Sequence, residues 1–187
     1  MKQDIILAGV GGQGVLSIAA IIARAAEGLF VRQSEVHGMA QRGGAVLAHL
    51  RLSSETIAGD LVPRGGADLI ISMEPLESLR YLSWLSPGGA VVTAAEPVIN
   101  IPDYPDLAEV HAAVKRLPRH SLVEAAALAK AAGLARAVNM VMVGAASPYL
   151  PINAEALERT IEAVFAAKDP KLAELNKLAF RMGRGGA

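Results

Sequence analysis

The feature that most constrains this chain is a short apolar run that breaks into glycines and restarts as an apolar helix. Asp4-Ile5-Ile6-Leu7-Ala8 has the length and the β-branched content of a buried strand, and Gly9-Val10-Gly11-Gly12-Gln13-Gly14 follows it at once. Residues 15–27 then read as a helix, apolar on almost every side apart from Ser17 and Arg24. Such a helix has to be covered twice, by a sheet on one side and by another element on the other.

The same alternation continues. Gly28 ends the helix and residues 29–36 are extended again, before a polar, glycine-rich loop at 37–44. Strands are expected at 45–52, 67–73 and 90–93. A helix beginning at Glu74-Pro75 runs to about Leu85 and stops before Ser86-Pro87-Gly88-Gly89. Helices follow at 107–115, 123–132, 136–149, 154–167 and 171–182, while residues 117–122 fit neither period. Strands and helices in this order predict an α/β fold: a doubly wound, Rossmann-like, mainly parallel sheet with helices on both faces and a helical C-terminal end. Residues 1–187 read as one domain, with a mobile tail at 183–187.

Composition narrows the functional classes. Eighteen basic and eighteen acidic side chains cancel, and 52% of the residues are hydrophobic, which excludes intrinsic disorder. With no positive excess, a nucleic-acid partner is not expected. No apolar run is long enough for a membrane span, so a soluble, cytoplasmic protein is the expectation. The chain has no cysteine, so it cannot ligate an iron–sulfur cluster through thiolates or use a cysteine nucleophile. Only 19% of its residues are charged, a sparse supply for an independent surface, which points either to a large core or to a face covered by another subunit.

Two segments carry candidate chemistry. The glycine loop places Gly9, Gly11 and Gly14 at Gly-x-Gly-x-x-Gly spacing, with Gly12 and Gln13 between them. Glycines there let a helix pack closely on its sheet, or let backbone amides approach a pyrophosphate or another anion. Gln13, with both a donor and an acceptor, is odd for pure packing and keeps a binding role open. The second segment, Glu35-Val36-His37-Gly38-Met39-Ala40-Gln41-Arg42-Gly43-Gly44, gathers Glu35, His37, Gln41 and Arg42 between glycines. Glu35 and His37 suit an acid–base pair, and Arg42 suits a bidentate grip on carboxylate or phosphate. The same residues equally suit a hydrogen-bonded interface loop. His49 reads as a packed histidine, His111 and His120 as exposed ones, and no metal set emerges. Glu74 is a helix cap, and Asn139, inside an apolar helix, needs a hydrogen-bond partner.

Taken together, Gly9-Val10-Gly11-Gly12-Gln13-Gly14, the Glu35 to Gly44 stretch, Met73-Glu74-Pro75-Leu76-Glu77 and Arg136-Ala137-Val138-Asn139-Met140 resemble the gamma subunit or domain of the 2-oxoacid:ferredoxin oxidoreductases, in particular the small subunit of the indolepyruvate branch. The resemblance implies a subunit of an enzyme that oxidatively decarboxylates 2-oxoacids to acyl-coenzyme A and passes electrons to ferredoxin. It implies a large alpha subunit as partner, holding thiamine diphosphate, magnesium and the iron–sulfur clusters, with coenzyme A as a shared substrate. On that reading the isolated chain is inactive and free to self-associate. Gly9, Gly11, Gly12, Gln13, Gly14, Gln41, Arg42, Gly43 and Gly44 are the candidate cofactor-contacting residues, and Glu35, His37 and Arg42 the weak catalytic candidates. The alternative is a free-standing NAD-type oxidoreductase or a nucleotide-binding module, for which Glu35 would serve as the ribose acid.

Overall fold

The computed structural model describes residues 1–37 and 43–186. Among the described residues are six strands: β1 (Lys2–Val10), β2 (Phe30–His37), β3 (Ala45–Ser53), β4 (Ala67–Ser72), β5 (Leu85–Ala94) and β6 (His120–Val123). Seven helices accompany them: α1 (Val15–Ala25), α2 (Pro75–Arg80), α3 (Leu107–Lys115), α4 (Ala125–Ala131), α5 (Val138–Ala146), α6 (Ala154–Ala166) and α7 (Pro170–Gly185). The strand order is β2-β3-β1-β4-β5-β6.

The doubly wound α/β expectation holds, with one departure in the sheet. β1, β4, β5 and β6 pair in parallel, whereas β3 is antiparallel to both β1 and β2. The crossover through α1 therefore does not set β2 beside β1. The β2–β3 hairpin inserts β3 between them, in a register running from Lys2↔Ser53 to Val10↔Ala45.

β1 feeds both faces of the sheet, as period-2 geometry requires. Ile5 and Leu7 join the larger core, with Ile18 and Ile22 of α1 and the wholly buried stretch from Met140 to Ala146 of α5. Ile6 and Ala8 join a smaller core with Val62, Ile70, Tyr81 and Val91. Behind α5 lies α7, packed backbone to backbone: a Cβ at Gly144 would run into the Phe180 carbonyl, and one at Gly183 into the Val141 carbonyl. That contact corrects the expected end of the fold, because α7 continues past Met182 and Gly183 is buried inside it.

Three further expectations change. β5 starts at Leu85, not Ala90, because a register shift against β4 between Ala67 and Leu69 accommodates Pro87, which has no amide to give a ladder. Residues 120–123 form the edge strand β6, which takes in the end of the ambiguous stretch and also Val123, expected to start the next helix. His111 and His120 are half-buried and each bonds a carbonyl, Ala95 O at 2.8 Å and Leu117 O at 2.7 Å.

On the smaller-core side, loops are fastened by polar groups. Asp4, 1% exposed, takes Arg51 Nε at 2.7 Å and Nη2 at 3.2 Å from the directly opposite position on β3. Arg51 also donates to the carbonyls of Gly59 and Leu61. His49 Nδ1 accepts from the Val62 amide at 3.1 Å, and burial, then the Arg51 charge, lowers its pKa from the ordinary histidine value. The packed reading of His49 is the one observed.

Candidate functional site at the carboxyl ends of the strands

The glycine loop leaves the carboxyl end of β1 and turns into α1 through two left-handed residues, Gly12 (φ 101°) and Gly14 (φ 74°), the latter forming the helix N-cap. Gly9 is required for a different reason. A Cβ there would lie 2.8 Å from Val15 Cγ2 and 3.1 Å from Met73 Cβ. The loop is tied down on three sides. Gln13 Oε1 accepts from the Val10 amide at 2.7 Å while its Nε2 donates to Met73 O at 2.8 Å, bridging the ends of β1 and β4. Gly11 N donates to Gly44 O at 2.8 Å, and Gly43 N to Gly11 O at 3.4 Å. Asn139, at the start of α5, donates to Gly14 O at 3.1 Å, which gives the expected partner of that asparagine.

Gln13 thus spends both ends of its amide inside the protein, and the amides of Gly11 and Gln13 bond Gly44 O and Val10 O. An open depression of about 410 Å³ remains over the loop, lined by Gly12, Gln13, Gly14, Met73, Arg136 and Asn139, among others. Arg136 is the cation at this depression.

A second group of residues joins the same end of the sheet. Glu74, 1% exposed, caps α2 by accepting from Glu77 N at 2.7 Å, and its other oxygen accepts from the Tyr104 hydroxyl. Burial, then the hydrogen bond to Glu74, raises the Tyr104 pKa above the ordinary phenol value. Four residues earlier in the same proline-rich connection, Asn100 donates to Gly43 O at 2.9 Å. The connection therefore runs from the α2 cap to the glycines that the Gly9–Gly14 loop also holds. Tyr104 and Asn100 were not among the sequence candidates. A tyrosine and an asparagine amid three prolines in a loop are the only signal the sequence carries for them.

Glu77, 2% exposed, accepts from Arg80 Nε at 3.2 Å through Oε1, while its Oε2 has no hydrogen-bond partner. Burial raises this carboxyl above the usual range, the nearby Arg80 offsetting part of the rise.

Of the second sequence segment, Glu35 is exposed near the end of β2 and engaged in an interaction, and His37 ends that strand opposite Val46. Gln41 and Arg42 lie outside the described residues, whereas Gly43 and Gly44 are brought against Gly11. Because β3 intervenes, Glu35 stands two strand spacings from β1, about 10 Å, where a ribose acid would need to be on the neighbouring strand. Among the described residues no group of three or more His, Asp or Glu side chains can hold a metal, and no helix is long and apolar enough to cross a membrane.

Comparisons with known proteins place this geometry in context. The family described as pyruvate ferredoxin/flavodoxin oxidoreductase matches residues 4–185. The indolepyruvate oxidoreductase subunit IorB of Archaeoglobus fulgidus is 38% identical, over 98% of this chain and 94% of the relative. The 2-oxoglutarate synthase subunit KorC of Methanothermobacter marburgensis is 29% identical, over 98% of this chain and 96% of the relative. Among solved structures, the 2-oxoglutarate:ferredoxin oxidoreductase of Magnetococcus marinus, with 2-oxoglutarate, coenzyme A and succinyl-CoA bound, superposes with a TM-score of 0.77 at 23% identity, over 98% of this chain and 30% of that one.

Proposed function

Because this chain belongs to the pyruvate ferredoxin/flavodoxin oxidoreductase family, we propose that it is the small, cluster-free subunit of a 2-oxoacid:ferredoxin oxidoreductase, within the branch that acts on arylpyruvates. The complex converts a 2-oxoacid and coenzyme A to acyl-coenzyme A and carbon dioxide, with electrons passed to ferredoxin. Thiamine diphosphate, magnesium and the clusters belong to the large subunit. This chain has no cysteine to ligate a cluster, and its buried acids are occupied as a cap, as a cross-strand pair and as an Arg80 partner. Support for the arylpyruvate branch is the higher identity to IorB than to KorC, 38% against 29%.

The observation that carries the reading is the pre-tied edge of the sheet, where the Gly9–Gly14 loop, Gly43–Gly44, Asn100 and Asn139 are linked by hydrogen bonds made entirely within the subunit. A rigid edge of this kind positions a neighbouring segment without itself making or breaking bonds. Glu35, His37, Gln41 and Arg42 belong to the sequence stretch from Glu35 to Gly44, and on this reading they face the large subunit near the acyl-acceptor channel. Arg42 grips a carboxylate or phosphate there, and the depression over Gly12, Gln13 and Gly14 lies against coenzyme A.

The free-standing dinucleotide enzyme is the weaker reading, because the inserted β3 and the inward-bonded loop amides both remove what that site needs. Anaerobic purification of the native complex, followed by assay with arylpyruvate or 2-oxoglutarate, coenzyme A and ferredoxin, tests the choice. A brown complex with a larger thiamine-containing chain, active on arylpyruvate and inactive once this chain is removed, is expected. Preference for 2-oxoglutarate would move the subunit to the other branch, and a colourless chain binding NAD would overturn the reading.

A further inference from the structure

On the other side of Asn139 from the glycine loop, α1, the α4–α5 turn, α6 and α7 border a second, half-open cavity of about 300 Å³. Its walls are apolar: Leu134, Met140, Phe165 and Leu172. Its polar groups are few: Ser17 and Arg136 toward solvent, and Asn139 and Asn176 further in. Arg136 is exposed at the rim and makes no ion pair or side-chain hydrogen bond among the described residues. Asn176, 3% exposed, donates its amide NH₂ to Leu172 O at 2.8 Å, and its amide oxygen has no partner among the described residues. Asn139 lines this cavity as well as the depression over the glycine loop, and it holds Gly14 O.

An apolar pocket with a small number of separated polar groups is the usual form of a small-molecule site. The volume lies at the bottom of the range of about 300 to 1,000 Å³ for such sites, which suits a compact ligand and not a whole coenzyme. The single guanidinium suits one carboxylate.

We infer that this cavity binds a small apolar carboxylic acid, with its carboxylate on Arg136 and its apolar body against Leu134, Met140, Phe165 and Leu172. The Asn176 amide oxygen accepts from an N–H on the buried end of the ligand, so an indole acid engages both Arg136 and Asn176. Occupancy is communicated to the glycine loop through Asn139. The inference stands on the cavity alone and holds whether or not the subunit works as proposed above, so its test reads binding and not turnover.

The probe is indole-3-acetate, which lacks the 2-oxo group of a substrate, titrated into the isotopically labelled full-length chain and followed by NMR. Saturable shifts of the Asn139 and Asn176 side-chain amides are expected. Arg136→Gln, at an exposed position that leaves the core intact, weakens binding at least about tenfold, as does replacing the probe by neutral indole-3-acetamide. Leu172→Trp fills the cavity from its rim and abolishes the shifts, with circular dichroism verifying the fold. Shifts that do not saturate, or that persist unchanged in Arg136→Gln, overturn the inference. Equal competition by inorganic phosphate does so too, since it would mark a general anion site.

Discussion

The two faces of the sheet are built by opposite means. One is thick: α1 and α5 lie on the strands, α6 and α7 lie outside them, and the contact between α5 and α7 is close enough that only glycine fits at 144 and 183. The other is thin, covered by α2, α3 and long connections, and it holds those connections by polar fastenings: Asp4–Arg51, His49 to Val62, and Tyr104 to Glu74. Burial on the thick face supplies most of the stability, because apolar area contributes about 25 cal/mol per Å² without regard to direction. Hydrogen bonds contribute less each but fix geometry. The thin face is therefore the one that decides where the loops at the site stand.

Substitutions separate these contributions. Gly144→Val forces a branched side chain into the Phe180 backbone and is expected to cost roughly 4 kcal/mol or more, enough to unfold most of the chain, in chemical denaturation. A mild effect there would mean that α7 can slide, and the thick face would be softer than its packing implies. Asp4→Ala leaves Arg51 half-buried without its carboxylate and should cost about 3 kcal/mol, with faster hydrogen exchange in residues 54–66 as the local signature. Uniform exchange across the whole chain would argue against a fastening confined to that loop.

Tyr104→Phe removes one buried hydrogen bond to Glu74 and should cost about 1 kcal/mol. Its effect concentrates in residues 95–106 and, in the assembled enzyme, raises KM for coenzyme A more than it lowers kcat. The smallest effect concerns pH. His49 has a lowered pKa in the folded protein, so its contribution to stability is complete above the unfolded value of about 6.5 and is lost as pH falls from there through the folded pKa. His49→Gln should flatten that part of the stability profile, measured by thermal unfolding between pH 7 and 5. An unchanged slope would assign the acid sensitivity to other groups.

Much of this architecture is legible in the residues. The strand, glycine loop and helix at the N-terminus follow from local chemistry alone, and so do the Glu74-Pro75 helix start and the need of Asn139 for a partner. The inserted β3 does not. Residues 29–36 and 45–52 carry good strand patterns, but nothing local says whether β1 pairs with the first or the second of them. The strand at Pro87 is unreadable for a related reason: proline and paired glycines signal a turn, unless they form an irregularity within a strand whose pairing resumes beyond them. At the site, the residue type of Gln13 leaves packing and binding both open, whereas in the structure both ends of its amide link β1 and β4. Tyr104 and Asn100 act across long stretches of chain, where sequence proximity gives no guide.

The antiparallel pairing of β1 with β3 has a further consequence for how this chain tolerates change in length. At one end of the pairing Asp4 meets Arg51, and at the other Gly11 meets Gly44. Inserting or deleting a single residue between those two fixed points moves every side chain of one strand to the opposite face. It also separates either the charged pair or the glycines. The stretch from Ala45 to Ser53 acts as a ruler whose length is set from both ends, whereas the connection from 54 to 66 can lengthen or shorten wherever Gly59, Leu61 and Val62 keep their places.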